Sequence, residues 1–271
     1  MDKNEIIALL DSLQINYTYK HYSNIKGKLQ KCKDNQEEQF LLECILKYID
    51  YHKKFKIKNF QQLTEAWNSY LLFVRNNNKF FTSQSKFEST ILEESIFRMF
   101  YHHMKDKIKT GSIKAYSNMF FAPSNFEDFK KNTNFKFNVK DQDFAIYKDI
   151  SVNIDDCSKI VSVPVIAIEC KTYLDKTMLE GSVATADKIK NGNPYCKFYI
   201  VTETYDVGTD VDIKSTRLDQ IYILNKTRRR DNKNRVIQQD VLERLYQDVS
   251  NHLTYNWSDI ENNITQKGII L

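Results

Sequence analysis

The stretch Ile166-Ala167-Ile168-Glu169-Cys170-Lys171 closes a run from Val161 to Lys171 that is rich in β-branched and apolar residues. Such a run reads as a strand buried in a sheet. Side chains alternate between faces along a strand with period two. Glu169 and Lys171 therefore point one way, and Ile168 and Cys170 the other. An acid and a lysine at the end of an otherwise apolar strand are out of place in a plain core. Upstream, Asp141-Gln142-Asp143 leads into Phe144-Ala145-Ile146-Tyr147, the start of a second strand. If the two strands pair as a long hairpin, Asp143 lies beside Glu169 and the polar residues around Asp155-Asp156 form the turn.

Two adjacent carboxylates repel each other unless a divalent cation sits between them. Hard oxygen ligands with few protein contacts suit magnesium, which keeps waters and takes phosphate oxygens. A neighbouring ammonium steadies a nucleophilic water or the charge on a phosphorane. The local logic is metal-assisted hydrolysis of a phosphodiester. The plain alternative is a structural Glu-Lys pair at a strand end.

Outward from this pair, a helix is expected from about Asp175 to Lys190, with Leu179, Val183, Ala186 and Ile189 in line and small residues that let it pack close to a sheet. Asn191-Gly192-Asn193-Pro194 ends it. Strands follow at Lys197 to Thr202 and Asp219 to Leu224, then a helix from about Val236 to Leu253. Towards the N-terminus the pattern is helical. Apolar residues recur at helical spacing in Ile6 to Leu13, Phe40 to Ile49 and Phe60 to Arg75, and a fourth helix is expected from about Ser85 to Met104, capped by Ser83 or Ser85. The polar stretch Lys105 to Lys140 shows little pattern beyond a short strand around Ser117 to Phe121. The fold class is α/β, a mixed sheet flanked by helices with a helical N-terminal part. The expected division is a helical part over 1–80 and a core over 81–271.

Composition agrees. With 41% hydrophobic and 28% charged residues the chain is globular rather than disordered. Only 6 glycines and 3 prolines occur, which argues against glycine-rich phosphate loops and a turn-dense β-sandwich. The start, MDKNEIIALLD, is not a secretory signal, and the longest largely apolar run, about Ile160 to Ile168, falls far short of the roughly 20 residues that span a bilayer. A soluble cytoplasmic protein with no membrane partner is expected. The 5 cysteines never form a CxxC pair, so neither a disulfide framework nor a cysteine zinc site is expected. His102 and His103 are adjacent and cannot chelate together on a helix. His21, His52 and His252 lack partners at ligand spacing.

The set of Asp143, then Glu169-Cys170-Lys171 on a hydrophobic strand, then a helix with small residues and a further strand, resembles the PD-(D/E)XK nuclease superfamily. The acidic helix upstream, Gln84-Ser85-Lys86-Phe87-Glu88-Ser89-Thr90-Ile91-Leu92-Glu93-Glu94, and the chain length look like small type II restriction endonucleases, more narrowly the group related to DdeI. Gln142 stands where the superfamily often has proline. The resemblance implies a restriction-endonuclease-like core and magnesium-dependent cleavage of double-stranded DNA that leaves 5′-phosphate and 3′-hydroxyl ends. It implies that Asp143 and Glu169 hold the metal with the Cys170 backbone carbonyl, and that Lys171 orients or helps deprotonate the attacking water. Glu94 is the choice for an accessory acid, with Glu88 next, and a solvated helix face accounts for either as well. Double-strand cleavage calls for two sites, hence a homodimer or a heterodimer with a related subunit.

The net charge is +5, and six basic residues against one acid lie in a single segment: Lys226, Arg228, Arg229, Arg230, Lys233 and Arg235 against Asp231. A concentrated patch of this kind fits a polyanion such as DNA, binding phosphates. A solvated basic loop is the alternative. Base-reading side chains are sought in Thr110 to Phe129 and in the loop from Glu203 to Arg217. Two rival functions share these features: a structure-directed repair or recombination nuclease on the same fold, and a non-catalytic DNA-binding module.

Overall fold

The computed structural model describes residues 3–13, 19–55, 59–77, 80, 86–101, 109–132, 134–154, 157–228, 235–255, 257 and 260–268. The proposed caps Ser83 and Ser85, the pair His102-His103 and the turn at Asp155-Asp156 lie outside these residues.

Helices form where apolar stripes meet good caps. Helix α1 spans Lys3–Asp11 and α2 spans Lys20–Lys31. Helix α3, Asn35–Lys54, starts at Asp34, whose side chain accepts the Gln36 N–H, and it buries Phe40, Leu41, Cys44, Ile45 and Tyr48. Helix α4, Phe60–Asn76, is capped by Asn59 and buries Leu63, Trp67, Tyr70, Leu71 and Val74. Helix α5 spans Phe87–Tyr101.

The second half builds the sheet. Strand β1 is Lys109–Phe121, followed by the short helix α6 at Phe126–Lys131. Strands β2, Phe135–Ile154, and β3, Cys157–Lys171, form a long antiparallel pair. Helix α7, Lys176–Gly192, is capped by Asp175 and crosses to β4, Lys197–Thr202, which pairs parallel with β3. A parallel pair needs such a crossover. Strand β5, Gln220–Ile223, pairs parallel with β4, and helix α8, Gln239–Thr254, follows. The sheet order is β1-β2-β3-β4-β5, antiparallel on one side of β3 and parallel on the other. This is the expected mixed sheet flanked by helices.

Three elements differ from expectation. Helix α2 was not expected, because its stripe of Tyr22, Ile25 and Leu29 is diluted by four lysines and Gly27. The supposedly irregular stretch before β2 contains the full strand β1, and β2 begins well before Phe144. The β1 residues that turn inward are small: Gly111, Ala115 and Ser117. The one larger side chain on this face, Ile113, is only partly buried, so the alternation is weak and the sequence announces the strand only near its end, around Ser117 to Phe121.

The small residues have a cause in α7. Ser117 Oγ donates to the Lys188 carbonyl at 3.1 Å, and a Cβ on Gly192 would stand 2.2 Å from the Ser117 carbonyl oxygen. On this face Ala115, Ala167, Phe198 and Ile200 pack with Leu179, Ala186 and Ile189 of α7. On the other face Phe144, Ile146, Ile166, Ile168 and Val201 share one continuous core with the N-terminal helices, α5 and α8. Phe100 is central there, its ring 5.6 Å from Phe144 and stacked 5.9 Å from Tyr246. All five cysteines are free, and among the described residues no helix is long and apolar enough to cross a membrane.

Gly192→Ala is expected to lower stability by about 1–3 kcal/mol, the usual cost of overpacking. Gly181→Ala serves as the comparison, because nothing lies within 4 Å of its would-be Cβ. That change in a helix interior is expected to be neutral or stabilising by up to about 1 kcal/mol. Urea midpoints of the two variants check the contrast.

Candidate active site

The β2–β3 register pairs Phe144 with Ile168, so the next step along the ladder sets Asp143 against Glu169. The structure thereby brings together the two acids from separate strands. Asp143 Oδ2 accepts the Cys170 N–H at 2.9 Å. Lys171 Nζ donates to Glu169 Oε1 at 2.8 Å. The second oxygen, Glu169 Oε2, is buried and has no hydrogen-bond partner. The Cys170 thiol is buried on the core face, and burial pushes its pKa well above the ordinary value, so it stays protonated. Burial works against the Lys171 charge, but Glu169, with Asp143 behind it, holds the pKa above the ordinary lysine range.

Helix α5 brings a further acid, Glu93, to the cleft beside the expected Glu94. Adjacent helical residues are about 100° apart around the axis. The cleft is lined by Tyr19, Lys20, Glu93, Glu94, Phe97 and Asp143. Burial, and then the charge of Asp143, push the Glu93 pKa upward, with Lys20 and Lys171 opposing. Lys20, the first residue of α2, donates a short hydrogen bond to Glu93 Oε2 and stands 3.9 Å from Asp143 Oδ1. Burial tends to lower the Lys20 pKa, but Glu93 and Asp143 overcome it and raise the value.

Glu94 is placed in the protein interior. Its Oε2 accepts the N–H groups of His21 at 3.1 Å and Tyr22 at 3.3 Å, and its Oε1 accepts the Tyr48 hydroxyl. Arg98 Nε lies 3.0 Å from the same Oε1, and the guanidinium sits among Tyr19, Tyr48, Tyr51 and Phe55. Burial pushes the Glu94 pKa up to about 8, with the hydrogen bonds from Tyr48, Tyr22 and His21 opposing it only in part. Glu88 is engaged elsewhere, accepting from Arg75 Nε at 2.9 Å.

The basic segment is divided. Lys226 is exposed and paired with Asp240, and Arg228 is exposed. Arg235 faces inward charges, 3.9 Å from both Glu88 and Glu203. Arg229, Arg230 and Lys233 lie outside the described residues. Glu203 and Lys20 escaped sequence reasoning. Glu203 follows a strand like any loop acid, and Lys20 is one of many N-terminal lysines. Neither carries a local mark of its partners.

Among the described residues, no group of three or more His, Cys, Asp or Glu side chains is placed to hold a metal ion. An open site is what magnesium uses, with one or two carboxylates and retained waters. The orphaned Glu169 Oε2 beside Asp143 is a buried anionic oxygen in need of a partner, and it fits such an ion.

The sequence family described as Bpu10I restriction endonuclease matches residues 84–256. A solved chain described as "native BbvCI A2B2 tetramer at low resolution" superposes with a TM-score of 0.72 at 21% identity, covering 88% of this chain and 97% of that one. No curated protein matches.

His21 beside the cleft carries a pH signature. It is fully buried, its ring nitrogens 3.0 Å from Thr90 Oγ1 and 2.7 Å from the Tyr70 hydroxyl. Burial, and then the Arg98 charge, depress its pKa to about 3. The folded imidazole stays neutral where the unfolded chain takes up a proton near pH ~6.5. Its contribution is therefore complete above about pH 6.5 and is lost as the pH falls towards about 3, at up to about 1.4 kcal/mol per pH unit. Denaturant midpoints between about pH 6.5 and 4 are expected to fall less steeply for His21→Gln than for the wild type.

Proposed function

This chain belongs to the Bpu10I restriction endonuclease family, and we propose that it is a magnesium-dependent type II enzyme that hydrolyses phosphodiester bonds of double-stranded DNA. The observation that carries the proposal is the pairing of Asp143, within β2, with Glu169 near the end of β3, with Glu169 Oε2 buried and open and Lys171 adjacent. Asp143 and Glu169 would hold the ion, with the Cys170 backbone carbonyl as a third oxygen. A bound magnesium ion supplies positive charge at the phosphoryl oxygens and acidifies water.

The remaining work falls to the chain. Lys171 is held as an ammonium by Glu169. An ammonium donates hydrogen bonds and cannot accept a proton. Lys171 thus orients the attacking water and steadies charge developing on the phosphate. To act as the base it must first lose its own proton, which Glu169 opposes. Attack at phosphorus with departure of the 3′ oxygen leaves 5′-phosphate and 3′-hydroxyl ends.

The BbvCI chain comes from an assembly described as A2B2. That description supports a partner for this chain, either a second copy or a related subunit, each chain cutting one strand. Arg228, Arg229 and Arg230, with Lys226 and Lys233, would meet phosphates. Restriction of incoming DNA is cytoplasmic work.

Asp143→Ala and Glu169→Ala are each expected to lower cleavage of a supercoiled plasmid about a thousandfold or more, the scale of the several kcal/mol a cation supplies. DNA binding in calcium, read by gel shift, should persist in both. Turnover like the wild type in either variant would remove the site assignment, and a smear in place of discrete bands would favour a structure-directed nuclease. Changing Arg228, Arg229 and Arg230 together to Ala should leave the recognition sequence intact. The slope of log K against log salt should become shallower by about 0.9 for each phosphate that is no longer neutralised. An unchanged slope with full affinity would make the segment a solvated loop.

A further inference from the structure

We propose that Lys20 is a built-in counter-cation of the active site: its ammonium fills the gap between Glu93 and Asp143, excludes a second divalent ion from that gap and confines the metal to the Asp143–Glu169 side. The proposal rests on the metal-site reading above and adds a residue from outside the family-matched span of 84–256.

The three acids of the cleft are not equivalent. Glu169 keeps one buried oxygen without any protein partner. Glu93, across the cleft, has its Oε2 already taken by Lys20. Asp143 lies between them, with Oδ2 on the Cys170 N–H and Oδ1 facing Lys20 at 3.9 Å. One side of the site is thus open to a cation and the other already holds one. An ammonium is a compact point charge with three donors, suited to replace an ion between two carboxylates.

Lys20 is also held where it is needed. Tyr19 packs edge-on against Phe97 of α5 at 5.5 Å and against His52 of α3 at 5.6 Å. The next two residues, His21 and Tyr22, give their N–H groups to Glu94. Neighbouring residues of α5, Glu93 and Glu94, therefore grip neighbouring residues of α2. A freely swinging surface lysine has no such fixing of its backbone. Two like charges on Glu93 and Asp143 without Lys20 would attract a divalent ion into the same gap.

The test counts bound manganese in the DNA-free protein, using the electron paramagnetic resonance signal of free Mn2+ during a titration. The wild type is expected to bind one ion per chain. Lys20→Met is expected to gain a second ion, bound about tenfold or more tightly than any second ion on the wild type. Lys20→Gln, which keeps the side-chain length and polarity, should show the same gain, and Lys20→Arg, which keeps the charge, should not. Adding Glu93→Gln to Lys20→Met should abolish it. If both neutral variants titrate like the wild type, or if the wild type already binds two ions, the proposal falls while the metal site stands. If neither wild type nor variants bind manganese, the metal-site reading itself falls, and the proposal with it.

Discussion

The buried side chain of Glu94 ties α2 and α3 to α5. It receives two backbone N–H groups from the start of α2 and a hydroxyl from α3, and it stands against Arg98 one turn along α5. Breaking a buried pair of this kind by removing one partner typically costs about 3–5 kcal/mol, because the other charge is left stranded. The geometry of the cleft depends on it. With α2 anchored, Lys20 reaches Glu93, and with α5 anchored, Glu93 reaches the strand end that carries Asp143.

A second ionic cluster performs the same task on another side. Arg75 of α4 donates to Glu88 of α5 and to Glu203 after β4, and its Nη1 reaches the Arg235 carbonyl at 2.8 Å. Glu203 is almost wholly buried, and burial raises its pKa while Arg75 pulls it down. The guanidinium of Arg235 stands near both acids. A basic segment that looks uniform in sequence thus has an end facing internal acids and a stretch that begins in solvent at Lys226 and Arg228.

The cleft concentrates charge where the end of β3 meets the middle of β2 and of α5. Strands β2 and β3 bring one acid each, α5 brings another, and Lys20 and Lys171 come from the first helices and from the middle of the chain. Each lysine is held protonated by the acid next to it, Lys20 by Glu93 and Lys171 by Glu169. The difference between the two acids lies in the oxygen left over. Glu169 has a buried one that no protein group satisfies. An unpaired buried oxygen is costly, and the fold keeps it at the position where a cation fits.

Features that depend on neighbours along the chain are legible in its residues. Apolar stripes mark α3, α4, α5, α7 and α8, and Lys197 to Thr202 reads as the strand it forms. The apolar run ending in Glu169-Cys170-Lys171, with Asp143 before a second apolar run, is enough to predict the hairpin that sets the two acids side by side. Other features arise only when distant elements meet. Strand β1 turns mainly small residues inward where α7 passes close at Ser117, so its periodic signal is weak. Glu93 and Glu94 are chemically identical neighbours. Only the docking of α2 and α3 against one side of α5 consumes Glu94 and leaves Glu93 facing the cleft. Lys20 lies 123 residues before Asp143. Its partnership follows from the packing of a helix that the sequence barely announces, and spacing along a chain carries no information about a contact made by folding it.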